Sequence, residues 1–283
     1  MKKVYCIILA ALLIVSLWSY IESNPIKSDF TMYCFDVGQA DSTLFVMPGN
    51  RCMLIDAGNY KDGDYIAGRL TELGIKKIDY LVGTHPHADH LGGMSYIIKN
   101  FDIGKIYMPD AAQNTEAFED VLKAIKDKNL SVTKAKSGVE ILNENDLKIQ
   151  IKSPALDEYS DLNDYSAVVR IKYKDTAFIV MGDAGVANEK EMIEDKNNDL
   201  SANVIRIGHH GSDTSTSSRF LNRVKPSVAL ISVGKGNEYG HPSIDVIKRL
   251  KDRRIKVYRT DKNGEIQIFS DGKKIKCYPK TGG

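Results

Sequence analysis

Thr84-His85-Pro86-His87-Ala88-Asp89-His90 gathers three imidazoles and a carboxylate into one short stretch. The apolar run Ile78-Asp79-Tyr80-Leu81-Val82-Gly83 leads into it, and an amphipathic segment with Leu91, Met94 and Ile98 at i, i+3 and i+7 follows. The block therefore sits in a strand-to-helix loop. In extended backbone, residues two apart point the same way, so His85 and His87 can converge on one ion while Asp89 and His90, at the turn into the helix, face a second. The chain has six histidines, and Gly208-His209-His210-Gly211 holds two more, again directly after an apolar strand, Val204–Ile207. Histidines scattered as core fillers would not collect at two strand ends.

Between the clusters, Ala177-Phe178-Ile179-Val180-Met181 delivers Gly182-Asp183. An acid at the mouth of a buried strand is costly unless it is paired or binds a cation. The plain alternative for Asp183 is a turn or cap aspartate ahead of a helix over 188–196. The sixth histidine, His241, precedes Pro242 and a helix over 243–251 and reads either as a site residue or as an ordinary loop histidine. The hydroxyl-rich segment Ser212–Ser218 can contact a phosphodiester backbone or cap the following helix.

Working outward, apolar runs predict strands at 30–36, 42–47, 51–56, 78–83, 105–108, 147–152, 167–173, 176–181, 204–207, 228–232, 256–259 and 265–269. Helical periodicity lies between them, at 65–73, 91–99, 115–128, 188–196, 217–224 and 243–251. Mixed sheets covered by helices follow, an α/β arrangement, and residues 30–279 show no break that would divide them. With 283 residues, 42% hydrophobic and 27% charged side chains, the chain is neither disordered nor a polytopic membrane protein. A net charge of +2 gives no general reason to expect nucleic acid. Eight Lys or Arg between Lys248 and Lys262 could track a backbone, although a solvated helix face is the commoner origin of such a run.

Lys2 and Lys3 precede an apolar run from Val4 to about Leu17, then Trp18, Tyr20 and a polar linker over 23–29. Residues 1–22 read as a signal peptide or as an N-terminal anchor contacting the membrane, shorter than the ~20 apolar residues of a usual span, and they place the rest of the chain outside the cytoplasm. Cys34, Cys52 and Cys277 show no C-x-x-C spacing and no cysteine metal site. Cys34 and Cys52 lie on neighbouring predicted strands, open to a disulfide or to two buried free thiols, the blander reading.

The block His85-Pro-His87-Ala-Asp89-His90, with Leu54-Ile55-Asp56-Ala57-Gly58 before it and Gly182-Asp183 and His210-Gly211 after it, resembles the metallo-β-lactamase-fold hydrolases in motif order and strand-end placement. More narrowly, Asp36-Val37-Gly38-Gln39-Ala40-Asp41-Ser42, Gly208-His209-His210-Gly211-Ser212, Tyr239-Gly240-His241-Pro242 and Val257-Tyr258-Arg259-Thr260-Asp261 look like the soluble domain of ComEC-type DNA-uptake proteins. The resemblance implies an αββα four-layer sandwich and a two-cation site. His85, His87 and Asp183 would bind the first ion; Asp89, His90, His210 and again Asp183 would bind the second. Zn²⁺ is the expected metal, with Mn²⁺ or Fe served by the same ligand types. Asp56 would orient a ligand histidine from behind. His209 and His241 would meet the scissile phosphate or the leaving group, Asp89 would orient a bridging hydroxide, and Ser212 would touch substrate.

One departure stands out. Where many family members carry a further histidine ligand, this chain reads Leu162-Asn163-Asp164-Tyr165-Ser166-Ala167, and Asn163 and Ser166 reproduce an Asn-x-x-Ser pattern of the ComEC-like relatives. The resulting expectation is an exported phosphodiesterase or nuclease acting on DNA. Two other readings are an envelope phosphoester hydrolase, acting on a phosphocholine or teichoic-acid ester, and a non-catalytic metal-binding scaffold.

Overall fold

The computed structural model describes residues 29–111 and 115–280. The export or anchor segment 1–22, and the linker 23–29 save its last residue, lie outside the described residues. Among the described residues, the strands are β1 Phe30–Cys34, β2 Thr43–Met47, β3 Arg51–Ile55, β4 Lys77–Val82, β5 Asp102–Met108, β6 Val132–Lys134, β7 Glu140–Glu144, β8 Leu147–Ser153, β9 Val168–Tyr173, β10 Thr176–Val180, β11 Val204–Arg206, β12 Val228–Ile231, β13 Lys256–Arg259, β14 Ile266–Ser270 and β15 Ile275–Pro279. They form an eight-stranded sheet, β15-β14-β1-β2-β3-β4-β5-β6, and a seven-stranded one, β13-β12-β11-β10-β9-β8-β7.

Side-chain alternation builds the layers. In β1, Phe30, Met32 and Cys34 enter the core between the sheets, while Tyr33 turns to the opposite face. The inter-sheet core is centred on aromatic rings, Phe30 lying 4.9 Å from Phe178 and 5.1 Å from Tyr173. Removing such a ring costs about 3–5 kcal/mol. The outer face of the first sheet is covered by Ile66, Leu70, Met94, Ile97, Val121 and Ile125 of its helices. Met192, Phe220, Leu221, Val224, Val246 and Leu250 cover the second. The result is an αββα sandwich of four layers.

Each sheet is parallel in one half, β3 to β6 and β10 to β13, and antiparallel in the other. The parallel halves carry the helical crossovers, so the carboxyl ends of β3, β4, β10, β11 and β12 all open at one edge of the sandwich, where ligands of α/β sheets bind. Thr84 and Ala167 tie the sheets there, the Ala167 amide donating to the Thr84 carbonyl at 2.9 Å.

Two features differ from the sequence reading. The helix expected over 91–99 is two pieces, Ala88–Leu91 and Met94–Asn100, because Gly92 and Gly93 lie against the backbone of Tyr60 and Ala57, where a Cβ has no room. Strands β6, β7 and β15 carry few buried residues and hence no apolar alternation to announce them. Of the two readings open for Cys34 and Cys52, the structure bears out the buried free thiols: Cys34 packs between the sheets and Cys52 on the helix-covered face.

Candidate metal centre

The Thr84–His90 loop leaves β4 with Thr84 folded under it. The Thr84 amide and hydroxyl each donate to the Asp56 carboxylate at 2.8 Å. Asp56 Oδ2 also accepts from His90 Nδ1 at 2.8 Å, which turns His90 Nε2 outward. His85 and His87 do converge, with His85 Nε2 3.0 Å from His87 Nδ1 and the rings 4.8 Å apart.

Strand β10 ends on Gly182-Asp183. Gly182 has φ +54°, and a Cβ there would lie 2.8 Å from the Thr84 Cβ, so this approach to the histidine loop needs glycine. The Asp183 amide donates to Ser166 Oγ at 3.0 Å. Its Oδ1 lies 3.2 Å from His90 Nε2, and its Oδ2 lies 3.8 Å from each of His85 Nε2, His209 Nε2 and His210 Nε2. One carboxylate thus stands among four imidazoles. His90 Nε2 and Asp183 Oδ1 are buried without a good hydrogen bond.

Both members of the His209-His210 pair have φ +50°, a left-handed backbone unusual for non-glycine residues and a common mark of functional sites. That twist turns both rings toward Asp183. They differ in what holds them: His210 is buried, donates Nδ1 to the Ser232 carbonyl at 3.0 Å and puts Nε2 3.1 Å from Asp89 Oδ2. His209 is partly exposed, with Nδ1 3.2 Å from Thr214 Oγ1.

Beneath the imidazoles lies an ion pair that no motif reading of the histidines finds, Asp41 with Arg206. Asp41 approaches the Nδ1 atoms of His90 and His210, at 3.6 and 3.7 Å, from the side away from Asp183. Atoms of Asp41, His90, Asp183 and His210 fall within 4.8 Å of one another, a spacing suited to a cation. The donor set, buried carboxylates and imidazoles with His90 Nε2 and Asp183 Oδ1 left without hydrogen-bond partners, fits a divalent metal.

The electrostatics follow from burial. Burial drives His85 well below the ordinary imidazole value, toward the neutral form. His90 feels the same burial, but the carboxylates of Asp183, Asp56 and Asp89 outweigh it and hold its pKa well above 6.5. For Asp183, burial works to raise the pKa, yet His90 and His210 keep it well below the carboxylate range. Burial raises Asp56.

A cavity of about 500 Å³ opens over the cluster, lined among others by Gln39, His87, Asp89, Asn163, His209 and Tyr239. His241 also lines it, with its ring 5.7 Å from His209. Asn163 Oδ1 is buried there with no partner. Ser212 is not brought to the cavity: it is buried, and its hydroxyl is engaged with Thr214 at 3.0 Å. The hydroxyl-rich segment caps a helix instead, Ser217 Oγ accepting from the Phe220 amide.

A four-layer sandwich with this cluster at one edge defines a class. The chain belongs to the metallo-beta-lactamase superfamily, whose family model matches residues 35–235. Within it, the chain is 30% identical over 259 residues to ComE operon protein 3 of Bacillus subtilis (strain 168), covering 86% of this chain and 33% of that protein. It is also 30% identical over 260 residues to Competence protein ComA of Neisseria gonorrhoeae, covering 92% and 35%. The chain thus spans about a third of the length of these curated relatives. Among solved structures, CmlA, a diiron beta-hydroxylase from Streptomyces venezuelae, shares the fold with a TM-score of 0.56 at 14% identity, covering 87% of this chain and 55% of that one.

Proposed function

We propose that the protein is an extracytoplasmic, two-cation phosphodiesterase that cleaves DNA. The observation that carries this reading is the position of Asp183, with one oxygen 3.2 Å from His90 Nε2 and the other 3.8 Å from His85, His209 and His210. Such a carboxylate is placed to serve two ions at once. His85, His87 and Asp183 would hold one, and Asp89, His90, His210 and Asp183 the other. Asp41 stays outside this set, because it faces the Nδ1 edges of His90 and His210 and is paired with Arg206.

Charge supports the same count. Asp41, Asp56, Asp89 and Asp183 against Arg206 leave three negative charges, with the imidazoles counted neutral. Two divalent cations convert that to one positive charge, which a phosphodiester anion balances.

When bound, divalent cations supply Lewis acidity at phosphorus and a water nucleophile ionised near neutral pH. Asp89, partly exposed and lining the cavity, would orient the attacking water through its carboxylate. His210 and Asp56 hold the ligand geometry, and Ser166 fixes Asp183 through its backbone amide. His209 and His241, side by side at the open end, are placed to hydrogen-bond the phosphoryl group and to protonate the departing oxygen.

DNA as the substrate rests on the names and identity of the competence relatives, and the extracytoplasmic site on the export character of residues 1–22. An envelope phosphocholine ester is the second reading, favoured by Glu238 beside Tyr239 at the cavity lip, an acid and a ring that suit a quaternary ammonium. The test compares cleavage of single- and double-stranded DNA with that of a phosphocholine ester, using Asp183→Asn as the control. DNA cleavage that falls by about 100-fold or more in the variant is expected. Turnover of the choline ester alone, or an active Asp183→Asn protein, would defeat the proposal.

A further inference from the structure

Tyr239 is 66% exposed at the lip of the cavity, and one face of its ring lies against the His241 imidazole, 5.8 Å between centroids and 25° from parallel. Its other face is open to solvent. His241 in turn meets His209 edge-on at 5.7 Å, so the rings run from the surface to the carboxylate cluster.

The segment that presents Tyr239 is held in place. Asn237 donates its side-chain amide to the His241 carbonyl at 2.7 Å and to the Gly234 carbonyl at 3.0 Å, and its oxygen accepts from the His241 amide at 3.0 Å. The Gly234 amide donates to Gln39 Oε1, in the loop between β1 and β2, at 3.0 Å, and the Ser243 amide donates to the Gly211 carbonyl at 2.9 Å, next to His210. An aromatic ring on so braced a turn loses little freedom when a ligand covers it. Two cavity-lining residues near the cluster, His241 and Asn163, keep a buried polar atom without a hydrogen-bond partner, Nδ1 and Oδ1 respectively.

Resting on the phosphodiesterase reading above, we propose that Tyr239 is a stacking platform for a nucleobase next to the scissile phosphate, so that the enzyme takes single-stranded nucleic acid in preference to other phosphodiesters. The ring is stacked on His241 by one face, and its flat outer face suits a second planar partner. A choline site is a box of several aromatic rings, and among the described residues lining the cavity Tyr239 is the single benzene ring. Every base has a π face, so the platform favours bases without selecting among them.

The experiment measures KM and kcat on oligothymidylate and on an oligomer of abasic phosphodiester units, for the wild type, Tyr239→Ala and Tyr239→Phe. The wild type should show a KM about tenfold lower on oligothymidylate. Tyr239→Ala should lose that difference through KM, and Tyr239→Phe should keep it. Equal KM for the two strands in the wild type, or a difference that survives in Tyr239→Ala, overturns the platform while leaving the nuclease reading standing. Cleavage of neither strand overturns the nuclease reading itself, and hydrolysis of a choline phosphodiester in its place reassigns the lip to a quaternary ammonium.

Discussion

Arg206 forms an ion pair with Asp41 under the histidine cluster, both side chains almost wholly buried. The same guanidinium donates to the Gly182 carbonyl at 3.0 Å and the Ile207 carbonyl at 3.1 Å. One side chain therefore ties together the loops that carry Asp41, Asp183 and the His209-His210 pair. Burial lowers the Arg206 pKa to about 10, which still leaves it charged at neutral pH.

Breaking this pair from one side strands a buried charge. Asp41→Asn and Arg206→Met should each destabilise the protein by about 3–5 kcal/mol in denaturant unfolding. The double variant should lose less than the sum of the two, because neither charge is then left alone. Strict additivity would show that the two side chains do not act as a pair.

The backing of His90 by Asp56 makes a prediction about affinity with the fold intact. Asp56→Asn keeps an oxygen for the Thr84 amide but loses the charge that faces His90 Nδ1. Cation affinity should fall about 10- to 100-fold, measured by competition with a chromogenic chelator. Unchanged affinity would remove Asp56 from the site.

Adjacent histidines should separate by their readouts. His210→Ala should lose one equivalent of cation, since its buried Nε2 faces Asp89 and Asp183. His209→Ala should retain its cations and lose about 100-fold or more in rate. Loss of cation from His209→Ala would instead assign it to the position left open by Asn163.

Proton release supplies a pH test. In the metal-free protein, burial lowers the His90 pKa, but Asp183, Asp56 and Asp89 overcome this and hold it well above 6.5, which favours the protonated ring. The stability this charge contributes is full below 6.5 and is lost as pH rises through the folded value. A cation must displace that proton, so loading at pH 7 should release protons, and affinity should rise with pH. His85, held neutral by burial, releases none. Loading without proton release would show that His90 is not a ligand.

Much of this is legible in the residues. Buried strands declare themselves by apolar runs, and the clustered imidazoles mark the strand ends that meet. The Asp41–Arg206 pair is hidden because Arg206 sits in the short apolar strand Val204-Ile205-Arg206, where nothing local reveals a partner far away in the chain. Ser212 misleads for the converse reason: a serine beside the histidines looks available, whereas the turn buries it against Thr214. Tyr239 is visible as part of a motif, but its stacking on His241 depends on a turn that only the folded chain defines.

The most direct test of the two-cation account is metal content by elemental analysis of the purified protein and of Asp183→Asn, read beside cleavage of single-stranded DNA with and without chelator. The account predicts about two equivalents in the wild type, chelator-sensitive cleavage, and loss of both in the variant. A wild-type protein that cleaves DNA without bound cation, or a variant that keeps two equivalents and full activity, would contradict it.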